Sequence, residues 1–337
     1  MNTTALAPLT RKDFQTDQEV RWCPGCGDYV ILAAVQKAFA ELGLRREEVV
    51  IVSGIGCSSR FPYYMNTFGF HTIHGRPLAV AAGLKAARPE LQVWVVTGDG
   101  DSLSIGGNHL IHAIRRNLDV KVLLFNNRIY GLTKGQASPT SERHKETKSS
   151  PFGTADAPFE PWSLALGAGA TFVARSIDRD PKHLGDMIHR AHHHRGLAFL
   201  EIYQNCNIFN DGAFSLLTEK ATKEDHVLRL EEGAPLLYGA KDQPLAIVQE
   251  GFALARRPAA DVRPEDVLRH REDGPPGYAA ALAQLPREGG PTPIGVLRAV
   301  TEPTWEEELA ARHRAAVTKN KLSLQALLTG PNTWNVH

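Results

Sequence analysis

The sequence predicts an α/β protein built on an open, doubly wound and mostly parallel sheet. Across the first two-thirds of the chain, short runs rich in β-branched residues alternate with longer segments that are apolar at helical spacing. The short runs are almost continuously apolar, which is typical of strands buried on both faces. The longer segments close at Gly, Pro or Asn, as helices do. This alternation favours parallel strands joined by helical crossovers.

The strands and helices can be assigned in order from this pattern. The predicted strands are VVIVSG from Val49, VWVVTGDG from Val93, VKVLLFNN from Val120, ATFVAR from Ala170 and LAFLEIY from Leu197. The predicted helices are YVILAAVQKAFAELG, PLAVAAGLKAARPE, IGGNHLIHAIRRN and PKHLGDMIHRAHHHRG. Because the carboxyl ends of parallel strands gather at one edge of a sheet, ligands are expected in the loops that follow the strands.

The pattern weakens in the last third of the chain. From about Lys220 onward the sequence is rich in Pro, Glu and Arg, with short helical segments at AAALAQL and WEEELAARHRAA. We therefore expect one large domain over residues 15–215. Residues 216–337 are expected to form an irregular C-terminal extension that makes subunit contacts.

Composition argues against several classes of protein. The 337 residues are 42% hydrophobic and 22% charged, enough for a large core. A formal charge of +1 gives no electrostatic reason to expect binding to nucleic acid or to an acidic membrane surface. The start, MNTTALAPLTRKDF, lacks the apolar core of a signal peptide. We expect a cytoplasmic protein, in which sparse cysteines are more often metal ligands or catalytic groups than disulfides.

Two polar motifs directly follow neighbouring predicted strands. Asp99 lies in the GDGDS that follows VWVVT, and Asn127 lies in the NN that follows VKVLLF. A carboxylate and an amide oxygen at adjacent strand ends suit Mg²⁺, which usually keeps part of its coordination shell for water or phosphate oxygens. The flanking glycines let the backbone approach a diphosphate. Either motif alone is common, but both on consecutive parallel strands favour a magnesium–diphosphate site.

All four cysteines lie in predicted loops. Cys23 and Cys26 form the pair in RWCPGCGDY, Cys57 lies in SGIGCSSR, and Cys206 lies in IYQNCNIF. A doubly wound sheet can gather these loops near one edge. Four thiolates suit Zn²⁺ as well as an iron–sulfur cluster, and the spacing matches neither a zinc ribbon nor a ferredoxin run. Both kinds of centre stay open on these residues alone.

The motifs together resemble a known family. GDG followed by NN is similar to the diphosphate-binding signature of thiamine diphosphate enzymes. The set CPGCGDY, GIGCSSR, HTIHGR, GDGDSLSIGGNH and NNRIYGLTKGQASPT resembles the β subunit of 2-oxoacid:ferredoxin oxidoreductases, most closely the two-subunit 2-oxoglutarate type. The match runs from about Trp22 to Asp211 and recurs weakly near Pro293. The resemblance implies a sheet of the thiamine diphosphate-binding type.

The resemblance also implies two inorganic centres and a cofactor site. The Mg²⁺ ligands would be the side chains of Asp99 and Asn127 and the backbone carbonyl of Ile129. The ligands of a [4Fe–4S] cluster close to thiamine diphosphate would be Cys23, Cys26, Cys57 and Cys206. His74 would contact the cofactor and would be the catalytic residue of this chain. The other residues in contact with the cofactor would be Ile55, Gly56, Cys57, Ser58, Gly98, Gly100, Asp101, Gly131 and Leu132.

The implied reaction is the oxidative decarboxylation of 2-oxoglutarate, with coenzyme A as co-substrate, to succinyl-CoA and carbon dioxide. Electrons would pass through the cluster to ferredoxin, a task that a cluster can perform and Zn²⁺ cannot. The alternative within the class is an enzyme for pyruvate or for many 2-oxoacids. The alternative outside it is a non-oxidative thiamine diphosphate lyase with a structural zinc.

Substrate contacts and partners follow from the same resemblance. Arg60 and Lys134 are the expected substrate-binding residues: Lys134 can pair with the second carboxylate of 2-oxoglutarate, and Arg60 would assist either at the substrate carboxylates or at coenzyme A. In the family a glycine often stands at the position of Lys134. The glutamate that activates the aminopyrimidine belongs to the family's α subunit, and no second α/β repeat is visible in this chain. We expect an α subunit, in an α₂β₂ assembly, and ferredoxin as partners.

Overall fold

The computed structural model describes residues 8–319, 323–334 and 336 of the chain. The strands are β1 (Val49–Ser53), β2 (Phe68–His71), β3 (Gln92–Gly98), β4 (Val120–Asn126), β5 (Phe172–Ile177), β6 (Ala198–Tyr203), β7 (Val227–Leu230), β8 (Leu237–Tyr238), β9 (Leu245–Glu250), β10 (Ala253–Pro258) and β11 (Thr292–Ala299). The helices are α1 (Asp28–Glu41), α2 (Pro77–Ala87), α3 (Asp99–Leu103), α4 (Gly107–Arg115), α5 (Pro161–Gly167), α6 (Pro181–His193), α7 (Ser215–Thr218), α8 (Lys223–His226), α9 (Pro276–Gln284), α10 (Trp305–Lys319) and α11 (Leu324–Thr329).

Eight of these strands form the main sheet, in the order β2-β1-β3-β4-β6-β5-β11-β7. Every neighbouring pair is parallel except β5 and β11, which run antiparallel. Strands β8, β9 and β10 form a separate antiparallel sheet. The predicted fold class, a doubly wound and mostly parallel α/β sheet, is confirmed, and each strand and helix predicted in the first two-thirds of the chain is present.

The apolar strands are buried because helices cover both faces of the sheet. On one face, residues such as Val50, Val95 and Leu124 pack in a cluster with α2, α4, α5 and α9. On the other face, residues such as Ile51 and Trp94 pack with α1 and α6. Successive residues of a strand point to opposite faces, so strands covered on both sides read as continuous apolar runs.

The chain after Lys220 is more regular than expected. The two predicted helices are present as α9 and α10, but the segment also contributes β7 and β11 to the main sheet and forms the whole second sheet. Leu228, Leu282 and Leu297 of this segment belong to the same buried cluster as the central strands. The sequence pattern does not predict these short strands, because several are partly exposed and therefore lack a continuous apolar run.

Strand β2 was also not predicted. All four of its residues are exposed, and it lies at the edge of the main sheet beside β1. An exposed edge strand lacks the continuous apolar run that marks the central strands. Within the described part of the chain, none of the helices combines the length and the apolar character needed to cross a membrane.

Candidate active site

The site lies where the carboxyl ends of four parallel strands meet. Strands β1, β3, β4 and β6 lie side by side in the sheet. Cys57 follows β1, Asp99 follows β3, Asn127 follows β4 and Cys206 follows β6. The topology therefore gathers polar and sulfur-bearing residues that are far apart in sequence, as expected for a doubly wound sheet.

Two neighbouring clefts open at this edge. The first, which we call the aspartate cleft, has a cavity volume of about 90 Å³. It is lined by every residue predicted to contact thiamine diphosphate or Mg²⁺, namely Ile55, Gly56, Cys57, Ser58, His74, Gly98, Asp99, Gly100, Asp101, Asn127, Ile129, Gly131 and Leu132. Four residues that were not predicted complete its lining: Asp28, Phe125, Tyr130 and Thr133. The placement agrees with the prediction, while the binding roles remain predictions.

Asp99 is the first residue of α3 and is only 2% exposed. Ser138 and Thr140 donate hydrogen bonds to its Oδ2, at 2.5 and 2.6 Å. Burial raises the pKa of Asp99 to about 6, because these hydrogen bonds only partly offset the removal of the carboxylate from water. Since both hydroxyls use Oδ2, Oδ1 is the oxygen that a cation could bind, and a divalent cation would supply the missing positive charge.

Asn127 is held by two hydrogen bonds. Its Nδ2 donates to Oε1 of Gln204 at 2.9 Å, and its Oδ1 accepts from the backbone nitrogen of Ile129 at 3.1 Å. The left-handed conformation of Arg128, with φ of 57°, makes this tight turn. An amide oxygen has a second lone pair, so Asn127 Oδ1 can still bind a cation beside the backbone of Ile129.

Asp101 forms hydrogen bonds to several of the segments around the aspartate cleft. Its Oδ1 accepts from the backbone nitrogens of Gly75 and Ile55, at 2.7 and 3.1 Å, and its Oδ2 accepts from Thr97 Oγ1 at 2.8 Å. His74 Nδ1 lies 2.6 Å from the same Oδ1, although the His74 side chain is 42% exposed. The contact lacks hydrogen-bond geometry, so Asp101 lies beside the imidazole as a charge that can favour one ring orientation when a ligand is met.

Two glycines of this cleft have close neighbours. A Cβ on Gly100 would lie 2.1 Å from the ring of Tyr130, whose hydroxyl donates to the Gly100 carbonyl at 3.1 Å. A Cβ on Gly131 would lie 3.5 Å from Cys206 Sγ and 3.6 Å from Cys57 Sγ. The backbone of Gly131 therefore lies against two of the sulfur atoms and forms part of the wall between the two clefts.

The second cleft, which we call the cysteine cleft, brings all four cysteines together. Its lining comprises Cys23, Cys26, Cys57 and Cys206 together with Arg21, Trp22, Asp28, Arg60, Asn127, Gly131, Leu132, Lys134, Gln204, Asn207, Ile208 and Phe209. All four cysteines are free thiols. In the described residues, no three His, Cys, Asp or Glu side chains are grouped so that they could hold one metal ion. Five residues line both clefts: Asp28, Cys57, Asn127, Gly131 and Leu132.

The cysteine cleft is rich in groups that become negative when ionised. Burial raises the pKa of the Cys57 thiol to about 12 and also raises the pKa values of Cys26 and Cys206. Asp28 is 1% exposed, its carboxylate oxygens meet no hydrogen-bond donor of good geometry beyond the contact with the Cys26 thiol, and burial raises its pKa to about 7. Thiols in such a site ionise when a metal centre supplies positive charge. The chemistry of the donor set therefore suits ligation by thiolates, although within the described residues the side chains are not grouped closely enough to hold a single ion.

Arg60 and Lys134, the predicted substrate residues, both line the cysteine cleft. Arg60 is half-buried and its Nη1 lies 3.4 Å from the backbone oxygen of Arg21, whereas Lys134 is exposed. Lys134 has a left-handed backbone, with φ of 75°. Glycine adopts this conformation without strain, which accounts for the glycine often found here in the family. The role of the two cations in substrate binding remains a prediction.

Several residues of the site were not predicted from the sequence. Asp28 directly follows CPGCG, and Ser138 and Thr140 lie within the ASPT of a recognised motif. Their positions were therefore visible, but short polar residues beside a motif are usually read as turn or capping residues. Gln204 stands two positions before Cys206, and nothing in the local pattern indicates its contact with Asn127.

The fold and the clefts define the class of protein. Residues 54–202 match the family model described as thiamine pyrophosphate enzyme, C-terminal TPP binding domain. This segment runs from the loop after β1 to β6 and so contains most of the aspartate cleft. The chain is therefore built around the cofactor-binding domain of the thiamine diphosphate enzymes.

Closer relatives narrow the class. The chain is 52% identical to 2-oxoglutarate oxidoreductase subunit KorB of Mycobacterium tuberculosis, over 99% of this chain and 90% of that protein. It is 39% identical to the β subunit of 2-oxoacid:ferredoxin oxidoreductase 1 of Aeropyrum pernix, over 93% of this chain and 89% of that protein. The 2-oxoglutarate:ferredoxin oxidoreductase from Magnetococcus marinus, solved with 2-oxoglutarate, coenzyme A and succinyl-CoA bound, is 33% identical with a TM-score of 0.76, over 97% of this chain and 98% of that chain.

The chain belongs to the β subunits of the 2-oxoacid:ferredoxin oxidoreductases. The family predicted from five sequence motifs is thereby confirmed. The chain is part of an oxidoreductase, and the names of its relatives as β subunits imply an α subunit as partner.

Proposed function

We propose that this chain is the β subunit of a 2-oxoglutarate:ferredoxin oxidoreductase that holds thiamine diphosphate, Mg²⁺ and a [4Fe–4S] cluster. One observation carries the proposal. Four cysteines that span 183 positions (206 minus 23) line a single cleft, and that cleft shares a wall with the cleft that contains the predicted diphosphate and Mg²⁺ ligands. An electron acceptor beside a thiamine cofactor is what an oxidative decarboxylation needs.

The aspartate cleft would hold thiamine diphosphate and Mg²⁺. Asp99 Oδ1, Asn127 Oδ1 and the carbonyl of Ile129 would bind the cation, and His74, beside Asp101, would contact the cofactor. Bound thiamine diphosphate supplies a carbon nucleophile for the 2-oxo group and an electron sink that lets carbon dioxide leave. The buried, partly uncompensated carboxylate of Asp99 supports a cation at this position.

The cysteine cleft would hold the cluster. Cys23, Cys26, Cys57 and Cys206 would be its ligands, and the wall formed by Gly131 and Leu132 would keep it close to the cofactor. The balanced reaction is 2-oxoglutarate, coenzyme A and two oxidised ferredoxins giving succinyl-CoA, carbon dioxide, two reduced ferredoxins and one proton. A [4Fe–4S] centre suits this reaction because it passes on one electron at a time.

The proposed substrate is 2-oxoglutarate. The M. tuberculosis relative is named for it, and the Magnetococcus marinus structure contains it together with coenzyme A. Arg60 and Lys134 put positive charge on the lining of the cysteine cleft, where the second carboxylate of a dicarboxylic 2-oxoacid could pair with it. Pyruvate has no such carboxylate and would gain nothing from these cations.

The proposed assembly is α₂β₂, working in the cytoplasm with ferredoxin as electron acceptor. The α subunit would cover the aspartate cleft and supply the glutamate that activates the aminopyrimidine. The isolated β chain would then bind its cofactors but would not turn over substrate.

Anaerobic purification of the chain with its α subunit tests these statements together. We expect the visible absorption of an iron–sulfur centre, bound thiamine diphosphate, and ferredoxin reduction that requires both coenzyme A and 2-oxoglutarate. The chain purified alone is the control and should show no turnover. A colourless enzyme that contains zinc and decarboxylates without an electron acceptor would contradict the oxidoreductase. Equal kcat/KM for pyruvate would instead contradict the substrate.

A further inference from the structure

Gln204 lies between the aspartate cleft and the cysteine cleft. It directly follows β6 and is 1% exposed. Its backbone nitrogen donates to the carbonyl of Asn126 at 3.0 Å, which continues the pairing of β4 with β6 beyond the last residue of the strand. The main sheet therefore holds the backbone of Gln204 in place, and with it the position of the Gln204 Cα.

The Gln204 side-chain amide makes three contacts. Its Oε1 accepts from Nδ2 of Asn127 at 2.9 Å. Its Nε2 donates to the backbone carbonyl of Asn205 at 2.7 Å and to Sγ of Cys26 at 3.2 Å. One buried amide thus touches a predicted Mg²⁺ ligand on one side and a predicted cluster ligand on the other.

These contacts allow only one orientation of the amide. If the oxygen and nitrogen of Gln204 were exchanged, its oxygen would face the carbonyl oxygen of Asn205, and two NH₂ groups would meet at Asn127. The N–H groups of Gln204 must therefore point toward Asn205 and Cys26. For the same reason Asn127 must turn its Nδ2 toward Gln204, which leaves Asn127 Oδ1 for a cation.

We propose that Gln204 is a positioning residue that serves both centres: it orients Asn127 Oδ1 toward Mg²⁺ and, through its N–H···S hydrogen bond to Cys26, raises the reduction potential of the cluster. This inference rests on the proposed function. Hydrogen bonds to cluster sulfur atoms stabilise the additional negative charge of the reduced cluster, and such bonds are among the factors that set the potential. Groups that orient a metal ligand also contribute to metal affinity.

A purely structural role for Gln204 predicts a different result. Loss of a satisfied buried amide lowers the free energy of unfolding wherever the amide lies. It does not, by itself, change the potential of a cluster or the Mg²⁺ requirement of cofactor binding. These two quantities therefore distinguish a positioning role from simple packing.

Two variants and one control separate the effects in the enzyme purified with its α subunit. Gln204→Met keeps most of the volume but removes all three side-chain hydrogen bonds. Gln204→Glu keeps an acceptor for Asn127 but replaces the N–H donor with a carboxylate oxygen beside Cys26. Gln36→Met is the control, because Gln36 is 2% exposed and hydrogen-bonded to Tyr64 but lines neither cleft.

The readouts are the cluster midpoint potential, from redox titration followed by EPR, and the Mg²⁺ concentration for half-maximal thiamine diphosphate binding. We expect a more negative potential in both Gln204 variants, with the larger shift in Gln204→Glu. The Mg²⁺ requirement should rise about 10- to 100-fold in Gln204→Met, the range seen when a group that orients a metal ligand is lost. It should stay close to wild type in Gln204→Glu, and Gln36→Met should change neither quantity.

An unchanged potential in both Gln204 variants, with full iron content, would overturn the effect on the cluster. An unchanged Mg²⁺ requirement in Gln204→Met would overturn the orientation of Asn127. Loss of cluster iron from both Gln204 variants, with iron retained in Gln36→Met, would show that Gln204 is needed for cluster assembly. It would overturn the proposal that Gln204 sets the reduction potential. A wild-type enzyme without iron would contradict the proposed function itself, so the two failures are distinguishable.

Discussion

The aspartate cleft and the cysteine cleft lie side by side, but they are built in opposite ways. In the aspartate cleft, the carboxylates of Asp99 and Asp101 accept several hydrogen bonds from hydroxyl groups and backbone nitrogens. In the cysteine cleft, Asp28 has no hydrogen-bond donor of good geometry beyond the Cys26 thiol, and Cys26 and Cys57 are buried thiols with raised pKa values.

This difference indicates how each cleft obtains its shape. The aspartate cleft is preorganised by contacts within the chain, so it should keep its geometry whether or not a ligand is bound. The cysteine cleft concentrates buried acidic groups that its cations only partly compensate, since the pKa of Cys57 stays raised beside Arg60, so its stability should depend on what it binds. A change to Asp99 or to Cys206, each of which lines only one cleft, should therefore leave the other cleft largely intact, and the variants below test that independence.

The largest effect is expected from Cys206→Ala. Removing one of the four thiols should deplete cluster iron and abolish ferredoxin reduction, because the remaining ligands cannot complete a four-thiolate site. Iron content and EPR of the reduced enzyme measure this loss. Mg²⁺-dependent thiamine diphosphate binding should persist, since the contacts of the aspartate cleft are internal.

Asn207→Ala is the matched control for Cys206→Ala. Asn207 lines the same cleft, and its side chain donates to the carbonyl of Pro24, but it offers no sulfur ligand. It should retain iron. Full iron and activity in Cys206→Ala would mean that the cluster is not held by four cysteines of this chain.

Asp99→Ala should have the next largest effect, on the other cleft. It removes a charged ligand of a divalent ion, so the loss of Mg²⁺-dependent cofactor affinity should exceed the roughly 100-fold seen for groups that only orient such ligands. Isothermal titration with thiamine diphosphate at several Mg²⁺ concentrations measures it. The iron content should match that of wild type and of Asp156→Ala, a change at an exposed aspartate. Unchanged cofactor affinity would remove Asp99 from the Mg²⁺ site.

Lys134→Ala tests whether the lining of the cysteine cleft recognises the second carboxylate of 2-oxoglutarate. A charge-assisted contact is worth roughly 1.5–3 kcal/mol, so kcat/KM for 2-oxoglutarate should fall about 10- to 100-fold. The value for pyruvate or 2-oxobutyrate should change little. Equal losses for both substrate classes would mean that Lys134 supports its loop and does not recognise the second carboxylate.

Lys134→Gly separates charge from backbone strain. Because Lys134 has a φ of 75°, glycine should relieve a cost of about 1 kcal/mol that alanine retains. The glycine variant should therefore unfold at a higher temperature than the alanine variant while losing the same selectivity. Equal melting temperatures would show that the loop tolerates the left-handed residue without cost.

Of the two changes around the Mg²⁺ site, Thr140→Val should have the smaller effect, because it removes only one of two hydroxyl donors to Asp99 and keeps the shape of the side chain. Since Ser138 continues to donate, the Mg²⁺ concentration needed for half-maximal cofactor binding should rise only about tenfold. This is the low end of the range for a hydrogen bond to a charged group. A loss as large as that of Asp99→Ala would mean that Thr140 is itself a ligand or shapes the whole loop.

The sequence predicted the central sheet and the position of the site more fully than the contacts within it. Continuous apolar runs revealed the strands covered on both faces, and the motifs at their carboxyl ends indicated where ligands would lie. The exposed β2 and the short strands after Lys220 lack such runs, because partial burial does not impose them.

The partners of the site residues could not be predicted for a different reason. Thr140 meets Asp99 across 41 positions, and Gln204 meets Cys26 across 178. Hydroxyl and amide side chains are common on protein surfaces. Only the folded backbone decides which groups Thr140 and Gln204 face. Asp28 was visible beside CPGCG, but its lack of a donor beyond the Cys26 thiol is a property of the folded interior alone.

The position of β11 has a consequence for how the protein is made. This strand, residues Thr292–Ala299, lies between β5 and β7, and among the strands of the described residues β7 pairs only with β11. A ribosome that adds about 5–20 residues per second needs roughly 6–23 s to go from the end of β5 to the start of β11, 115 residues later (292 minus 177). During that interval the edge of β5 is unpaired and open to incorrect pairing. We expect the nascent chain to expose this edge until residues 292–299 arrive, and a chain that ended before residue 292 would never cover it.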